Sequence, residues 1–312
     1  MSYHPRIESK EIASFLTTRC RNSELWFANN KPVEDATLGY VAKFKARYRV
    51  KLYALALEGT HIQAPAHFPD GNRAQFMRDF ISCVARAVAR LTPNYTGGRL
   101  TERRYSSEFL PGNPDIEHYF FYTVLQPVED CLVEKISDYP FYNCFSDAVN
   151  GIERRFKVIN WADYYSKKRF NPDLKVKDFT HWVSLKYDRL PGYEHLTQKD
   201  YSKLMHKKLE EKRSEIVKRK ISEGRKFLGR EALLRTIPGT PAKNPKKSTI
   251  NSHRPRILSV CDQRRAECKD WYFRMYFEFK RISKLYRDGL LNIIFPEGMY
   301  PPHRLCQLSL SP

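Results

Sequence analysis

Two short segments carry residue types able to break a phosphodiester bond through a covalent tyrosine link: Glu58-Gly59-Thr60-His61-Ile62-Gln63 and Phe121-Tyr122-Thr123-Val124-Leu125-Gln126-Pro127. Brought together in a fold, they would supply a pair of metal ligands, a phenolic nucleophile and a third polar ligand. A phenol with the usual pKa near 10 is a weak nucleophile at neutral pH. It needs a cation that polarises the phosphate and holds it in line for displacement. Loss of an equivalent electrostatic stabiliser costs on the order of 10² to 10³ in rate.

The elements that must position these groups are partly legible. Lys51 to Leu57 is apolar enough for a largely buried strand, and Gly59 marks a break or bulge after it. Beyond Gly59, strand alternation sets His61 and Gln63 on one face and Ile62 on the other. Asn113-Pro114-Asp115 reads as a helix start, with Asn113 capping, Pro114 at the first helical position and Asp115 in the first turn. Tyr122 and Gln126 are four residues apart and so share a helix face, and Pro127 ends or kinks that helix. Strand-like residues near 14–19 and 52–57 alternate with helical stretches at 72–91 and 114–126, the pattern of an α+β class.

With these residues in place, the chain resembles the REP-associated tyrosine transposases, within the single-tyrosine HUH transposases. The resemblance covers most of the chain. Thr17-Thr18-Arg19-Cys20-Arg21-Asn22 is similar to the family's first strand and turn, and Asn72 to Arg90 to the helix that follows. Gly98 to Tyr105 looks like its "GxLWxxRY" stretch, Tyr122 to Val133 its "YixLnPVraGLV" segment, and Asp138-Tyr139-Pro140 its "DYPwSS" segment. Phe295 to Pro302 is similar to the "FPpGtYrPP" ending of larger members.

The resemblance implies roles residue by residue. The family nucleophile falls on Tyr122, the first metal-binding histidine on His61, and the asparagine or glutamine four residues after the tyrosine on Gln126. The second histidine falls on Gln63, a departure that leaves an oxygen ligand and so favours Mg2+ or Mn2+ over softer ions. Thr60 replaces a usual asparagine, which weakens support of the site without removing a ligand. The implied product is a 5′-phosphotyrosine enzyme with a free 3′-hydroxyl that can re-attack, so rejoining needs no nucleotide triphosphate. The implied architecture is a ferredoxin-like antiparallel sheet with helices on one face, the metal site on the sheet and the tyrosine on a helix across it.

Taken alone, the same residues have plainer readings. His61 after an apolar strand could be a structural histidine. Tyr119-Phe120-Phe121-Tyr122 could be core aromatics, since neighbouring helix positions cannot all face solvent. Gln63 and Gln126 could simply hydrogen-bond each other.

The 312 residues suffice for a catalytic domain of about 150 residues and an extension of similar size. Seven cysteines without close paired spacing argue against a disulfide framework and for a reducing, cytoplasmic setting. Cys20, Cys83 and Cys131 read as small buried residues. No apolar run reaches the ~18 to 20 residues that span a bilayer, and Met1 to Arg6 lacks a signal-peptide apolar region. No zinc spacing, phosphate-binding glycine loop or internal repeat is present.

The net charge of +20 is unevenly spread. Residues 1–150 carry 18 Lys and Arg against 17 Asp and Glu, whereas residues 200–256 carry 17 against 6. The domain reading is therefore a catalytic domain at 1–150, a basic mainly helical extension at 151–235, a basic linker at 236–256, and an amphipathic helix and tail at 257–312. Lys218, Arg219 and Lys220 in the extension, with Arg99, Arg103 and Arg104 in the first domain, are the candidate DNA contacts, because basic faces bind phosphate by releasing counterions. A solvated helical face is the alternative, with Glu210, Glu211 and Glu215 offering internal pairs. Cys268, Trp271, Tyr272, Met275, Tyr276, Phe279, Ile282 and Tyr286 recur at three- and four-residue steps, an aromatic stripe for packing onto the rest of the protein rather than for base stacking.

The expected function is a metal-dependent DNA transposase that cleaves and rejoins single-stranded, hairpin-forming DNA. The rival reading is a domesticated DNA-binding protein of the same fold with weakened catalysis, for which Gln63 and Thr60 speak. An RNA-hairpin binder is a third.

Overall fold

The computed structural model describes residues 7–243 and 255–302. The chain begins with strand β1 (Ala13–Arg19), helix α1 (Lys31–Arg47), the short strands β2 (Lys51–Leu52) and β3 (Ala56–Glu58), strand β4 (His61–His67), helix α2 (Arg73–Leu91) and strand β5 (Ser106–Leu110). These strands make one antiparallel sheet in the order β2-β4-β1-β5, with β3 also paired to β4. The fold class is α+β, as expected.

The single strand expected over 52–57 is broken. Leu52 pairs with Ala66 and Ala56 with Gln63, so three residues lie opposite two. Pro65 stands in that gap and has no N–H to give the ladder, and an extra residue bulges the partner strand there. Gly59 and Thr60 form the two-residue turn from β3 to β4. A Cβ on Gly59 would come within 2.5 Å of Leu25 Cδ2, so glycine is needed for close approach.

Alternation along the strands gives the sheet two different faces. On one, Leu16, Ile62 and Ala64 meet Val41 of α1 and Phe76, Met77 and Phe80 of α2. The buried residues of α2 recur at three- and four-residue steps, which is why one stripe of it faces the sheet. On the other face Phe15 meets Tyr119 and Tyr122, ring centroids 4.8 and 5.8 Å away. Both tyrosines belong to α3 (Asn113–Val124). The expectation of helices on one face thus describes α1 and α2; α3 covers the opposite side.

Short helices α4 (Gln126–Glu129) and α5 (Phe145–Asn150) follow, then strand β6 (Arg154–Ile159), helix α6 (Trp161–Lys168), strand β7 (Thr180–Leu185), the long helix α7 (Gln198–Ser222), α8 (Arg230–Leu234) and α9 (Asp262–Arg287). The extension expected to be mainly helical therefore also holds a strand pair, β6 with β7. This ribbon packs on α1 at Gly39, where an added Cβ would sit 3.0 Å from Val158 Cγ2. Helix α7 is capped by Thr197, whose hydroxyl accepts from Asp200 N at 3.2 Å. It buries Tyr201, Met205 and Leu209 in the same core as the sheet. Cys20 is buried, while Cys83 and Cys131 are only half-buried, contrary to expectation. No helix among the described residues is long and apolar enough to cross a membrane.

Of the linker expected at 236–256, residues 244–254 lie outside the described residues, as does the tail from 303. The chain returns at 255 along the edge of β5. Phe109 N donates to Arg256 O and Leu258 N to Phe109 O, which covers that edge. The stripe on α9 then packs on Phe109 through Trp271 and Tyr272 at 5.5 and 6.0 Å.

One buried acid ties this segment to α3. Asp115 is 0% exposed and accepts from Val260 N at 2.7 Å and Ser259 Oγ at 3.1 Å, with Arg264 3.8 Å away. Asn113 is not the cap that the sequence suggested. Gly112 precedes the helix, and its carbonyl already accepts from Asp115 N and Ile116 N. Asp115→Ala leaves the buried Ser259 hydroxyl and the part-buried Val260 N–H without their acceptor and should cost about 3 kcal/mol in a urea melt. Limited proteolysis of that variant should release residues 255–302 first, with Asp115→Asn intermediate.

Candidate active site

His61 and Gln63 are each 4% exposed. In register Phe15 opposes Pro65, Thr17 opposes Gln63 and Arg19 opposes His61. Alternation therefore puts both side chains on the face that α3 covers, with Phe15. The imidazole is held from two sides. Thr60 Oγ1 lies 3.0 Å from Nδ1, and Glu58 Oε2 lies 3.8 Å from Nε2. Nδ1 donates to or accepts from the Thr60 hydroxyl according to the tautomer, and Nε2 faces the Glu58 carboxylate. Thr60, expected to support the site less well than asparagine, bonds the ring directly.

Glu58 had drawn no role from the sequence. Its signal was its place opposite His61 across the Gly59-Thr60 turn, where a two-residue connection brings the flanking residues face to face. Its side chain is as buried as that of His61.

The two glutamines do not bond each other. Gln126 is 4% exposed and its Nε2 donates to Asp130 Oδ2 at 3.3 Å, which fixes the amide's orientation. The carbonyl oxygens of Gln63 and Gln126 are both buried without a hydrogen-bond partner. Each such acceptor costs about 1–3 kcal/mol unless something satisfies it. Tyr139 is buried next to this region, its hydroxyl donating to Leu57 O at 3.4 Å; burial raises its phenol's pKa, and Glu58, Glu34 and Asp130 add to the rise.

Among the described residues no group of three His, Cys, Asp or Glu stands together as a metal site. The candidate donors are the His61 imidazole with the Glu58 carboxylate beside it, and the buried amide oxygens of Gln63 and Gln126. Oxygen-rich sets of this kind suit a hard divalent ion such as Mg2+ or Mn2+, so the residues present fit the expected metal.

Tyr122 is 39% exposed on α3. Tyr119, one turn earlier, is half-buried beside it, and burial, with Glu108 nearby, pushes its phenol up to about 12. Tyr122 is thus the accessible phenol of the pair. The shared helix face expected for Tyr122 and Gln126 does not form as one helix. Leu125 takes φ −93° and ψ 2° between α3 and α4, because Pro127 removes a backbone donor and restricts the turn before it.

The candidate DNA contacts fall in two places. Arg99, Arg103 and Arg104 are exposed on the segment between α2 and β5. That segment is tied to the end of β1 by Arg21 N to Leu100 O and Glu102 N to Arg19 O, and Arg19 opposes His61. These three arginines therefore stand at the His61 end of the sheet. At the end of α7, Lys218 is exposed, whereas Arg219 and Lys220 both pair with Glu129 of α4, Lys220 at 2.8 Å.

No protein family's model matches the sequence, and no curated protein matches it. Among solved structures the chain is similar to one of a REP-associated tyrosine transposase bound to a REP hairpin, at 19% identity and a TM-score of 0.41. That likeness is distant and spans 48% of this chain and 87% of the other.

After EDTA treatment, Mn2+ at a hundred times its Kd should stabilise the protein by about 2.7 kcal/mol in a thermal melt. His61→Ala should abolish that rise. Gln63→Leu should reduce it, while leaving the metal-free protein as stable as before or more so, because a buried unsatisfied oxygen is gone. A metal-free Gln63→Leu protein that melts several degrees lower would show the amide to be structural.

Proposed function

We propose that this protein is a metal-dependent transposase that cleaves and rejoins single-stranded, hairpin-forming DNA through a 5′-phosphotyrosine on Tyr122. The observation that carries the reading is an accessible phenol on a helix laid over the sheet face where His61 and Gln63 are buried. We read the sheet as ferredoxin-like, counting β2 and β3 as one bulged strand.

His61, Gln63 and Gln126, with Glu58, would hold the Mg2+ or Mn2+ ion. When bound, such an ion neutralises charge on the scissile phosphate and orients it. Tyr122 then forms the bond from its phenolic oxygen to phosphorus as the bond from phosphorus to the 3′ oxygen breaks, and the phenolic proton ends on the departing 3′-hydroxyl. Reversal of the same step by a 3′-hydroxyl frees Tyr122 and rejoins DNA. Arg99, Arg103 and Arg104 at the His61 end, and Lys218 on α7, are the groups placed to take neighbouring phosphates.

With labelled hairpin DNA and Mn2+, the protein should give an SDS-resistant adduct that Tyr122→Phe abolishes and Tyr119→Phe retains. An adduct surviving in Tyr122→Phe would overturn the assignment.

Ionic strength separates the two basic clusters. Every cation withdrawn from a single-strand phosphate flattens the slope of log affinity against log salt by about 0.7. Replacing Arg99, Arg103 and Arg104 with Gln should flatten it by about 2 in a filter-binding titration. Replacing Arg219 and Lys220 should change it by less than the value for two such cations, about 1.4, because Glu129 already compensates both.

A further inference from the structure

The β6–β7 ribbon has one face committed to the core and one face with no structural task. Phe156, Val158 and Val183 point inward, and Val158 touches α1 at Gly39. The outward face carries Arg155, Lys157 and, directly across from Lys157, Trp182. Trp182 is 54% exposed, unusual for the residue type that contributes the largest apolar surface.

Both cations lie over the indole, but farther from it than stacking contact. Arg155 lies 5.3 Å and Lys157 5.2 Å from the ring centroid. By contrast, Arg90 lies 3.9 Å from the Trp161 centroid, in stacking contact. Arg90 stacks on its indole, whereas Trp182 stays more than half exposed with both charges held loosely over it. Arg155 and Lys157 are two residues apart on a strand, about 7 Å, a step that suits successive phosphates of an extended polynucleotide. Neither is paired with a carboxylate among the described ion pairs, whereas the neighbouring Arg154 is paired with Asp147 at 2.5 Å.

We propose that the outer face of this ribbon is a binding site for single-stranded nucleic acid, with one base stacked on Trp182 and flanking phosphates on Arg155 and Lys157. An exposed aromatic side chain next to cations free of carboxylate partners is the combination that binds single strands without reading their sequence. An acidic peptide would use the charges and leave the indole idle. Resting on the proposed function, the strand is DNA adjoining the hairpin, held on the side of α1 away from the sheet.

The test uses fluorescence anisotropy of the full chain with four probes: a blunt DNA hairpin, the same hairpin with a 15-nucleotide thymidine tail, a dT 15-mer and a U 15-mer. Trp182→Ala should weaken binding of the tailed hairpin and of the 15-mers by about tenfold, within the range for removal of one base stack. Trp182→Phe should retain most of the affinity, and the blunt hairpin should be unaffected. Equal weakening of all probes, or none, overturns the site, as does a Trp182→Ala protein whose affinity for an acidic peptide falls instead. Trp182→Phe reports on stacking even if the alanine variant folds poorly. Preference for U over dT would keep the site and assign RNA to it. The adduct on Tyr122 reports separately: tail binding that depends on Trp182 without any adduct keeps this site and rejects the proposed chemistry.

Discussion

The register of β4 against β1 is the constraint from which the site follows. β4 is central, so its residues alternate between two filled spaces: Ile62 and Ala64 go to the core under α1 and α2, and His61 and Gln63 go to the face under α3. A slip of one residue would bury an imidazole and an amide among Phe76, Met77 and Phe80 and send Ile62 to the polar side. Hydrophobic burial on one face therefore fixes the position of the polar groups on the other. The same strand is where the sheet departs from regularity, since Pro65 bulges the partner strand between β2 and β3.

Helix α3 is positioned by contacts at its start and along its sheet side. At the start, Asp115 gathers Ser259, Val260 and Arg264 from a segment far along the chain. On its sheet side, Phe15 receives Tyr119 and Tyr122. Pro127 then breaks the helix so that the phenol and the amide of Gln126 belong to separate elements. Tyr122 keeps access to solvent while Gln126 turns inward to Asp130. A continuous helix would have tied their exposures together.

Features that depend on neighbours along the chain are legible in the amino-acid pattern. The alternation of His61, Ile62 and Gln63, the stripe on α2 and the aromatic repeat on α9 are all visible as periodicities. Features that depend on distant residues are not. A bond between Gln63 and Gln126 is a fair expectation from their types alone, but Asp130 takes the amide group. Arg219 and Lys220 look like solvated charges in sequence, yet their partner Glu129 lies about 90 positions earlier, where no pattern on α7 can announce it. The β6–β7 ribbon is hidden because Arg154-Arg155-Phe156-Lys157 reads first as a charge run, although its alternation with Val158 is that of a half-buried strand. Glu58 escapes notice because the turn, not the strand, decides what faces His61.

In the proposed metal site, Gln63 sets what is demanded of its surroundings. Gln63 stays neutral at every pH and offers one end of an amide dipole, a weaker attraction for a cation than a charged ligand gives. Negative charge must then come from elsewhere, and it does: Glu58 stands 3.8 Å from His61, and Asp130 holds Gln126. The buried face carries the negative ends of two amide dipoles, and Arg219 and Lys220 are already paired with Glu129. Acceptors shielded from water in this way are costly by themselves, and in the proposed function a divalent cation would offset that cost.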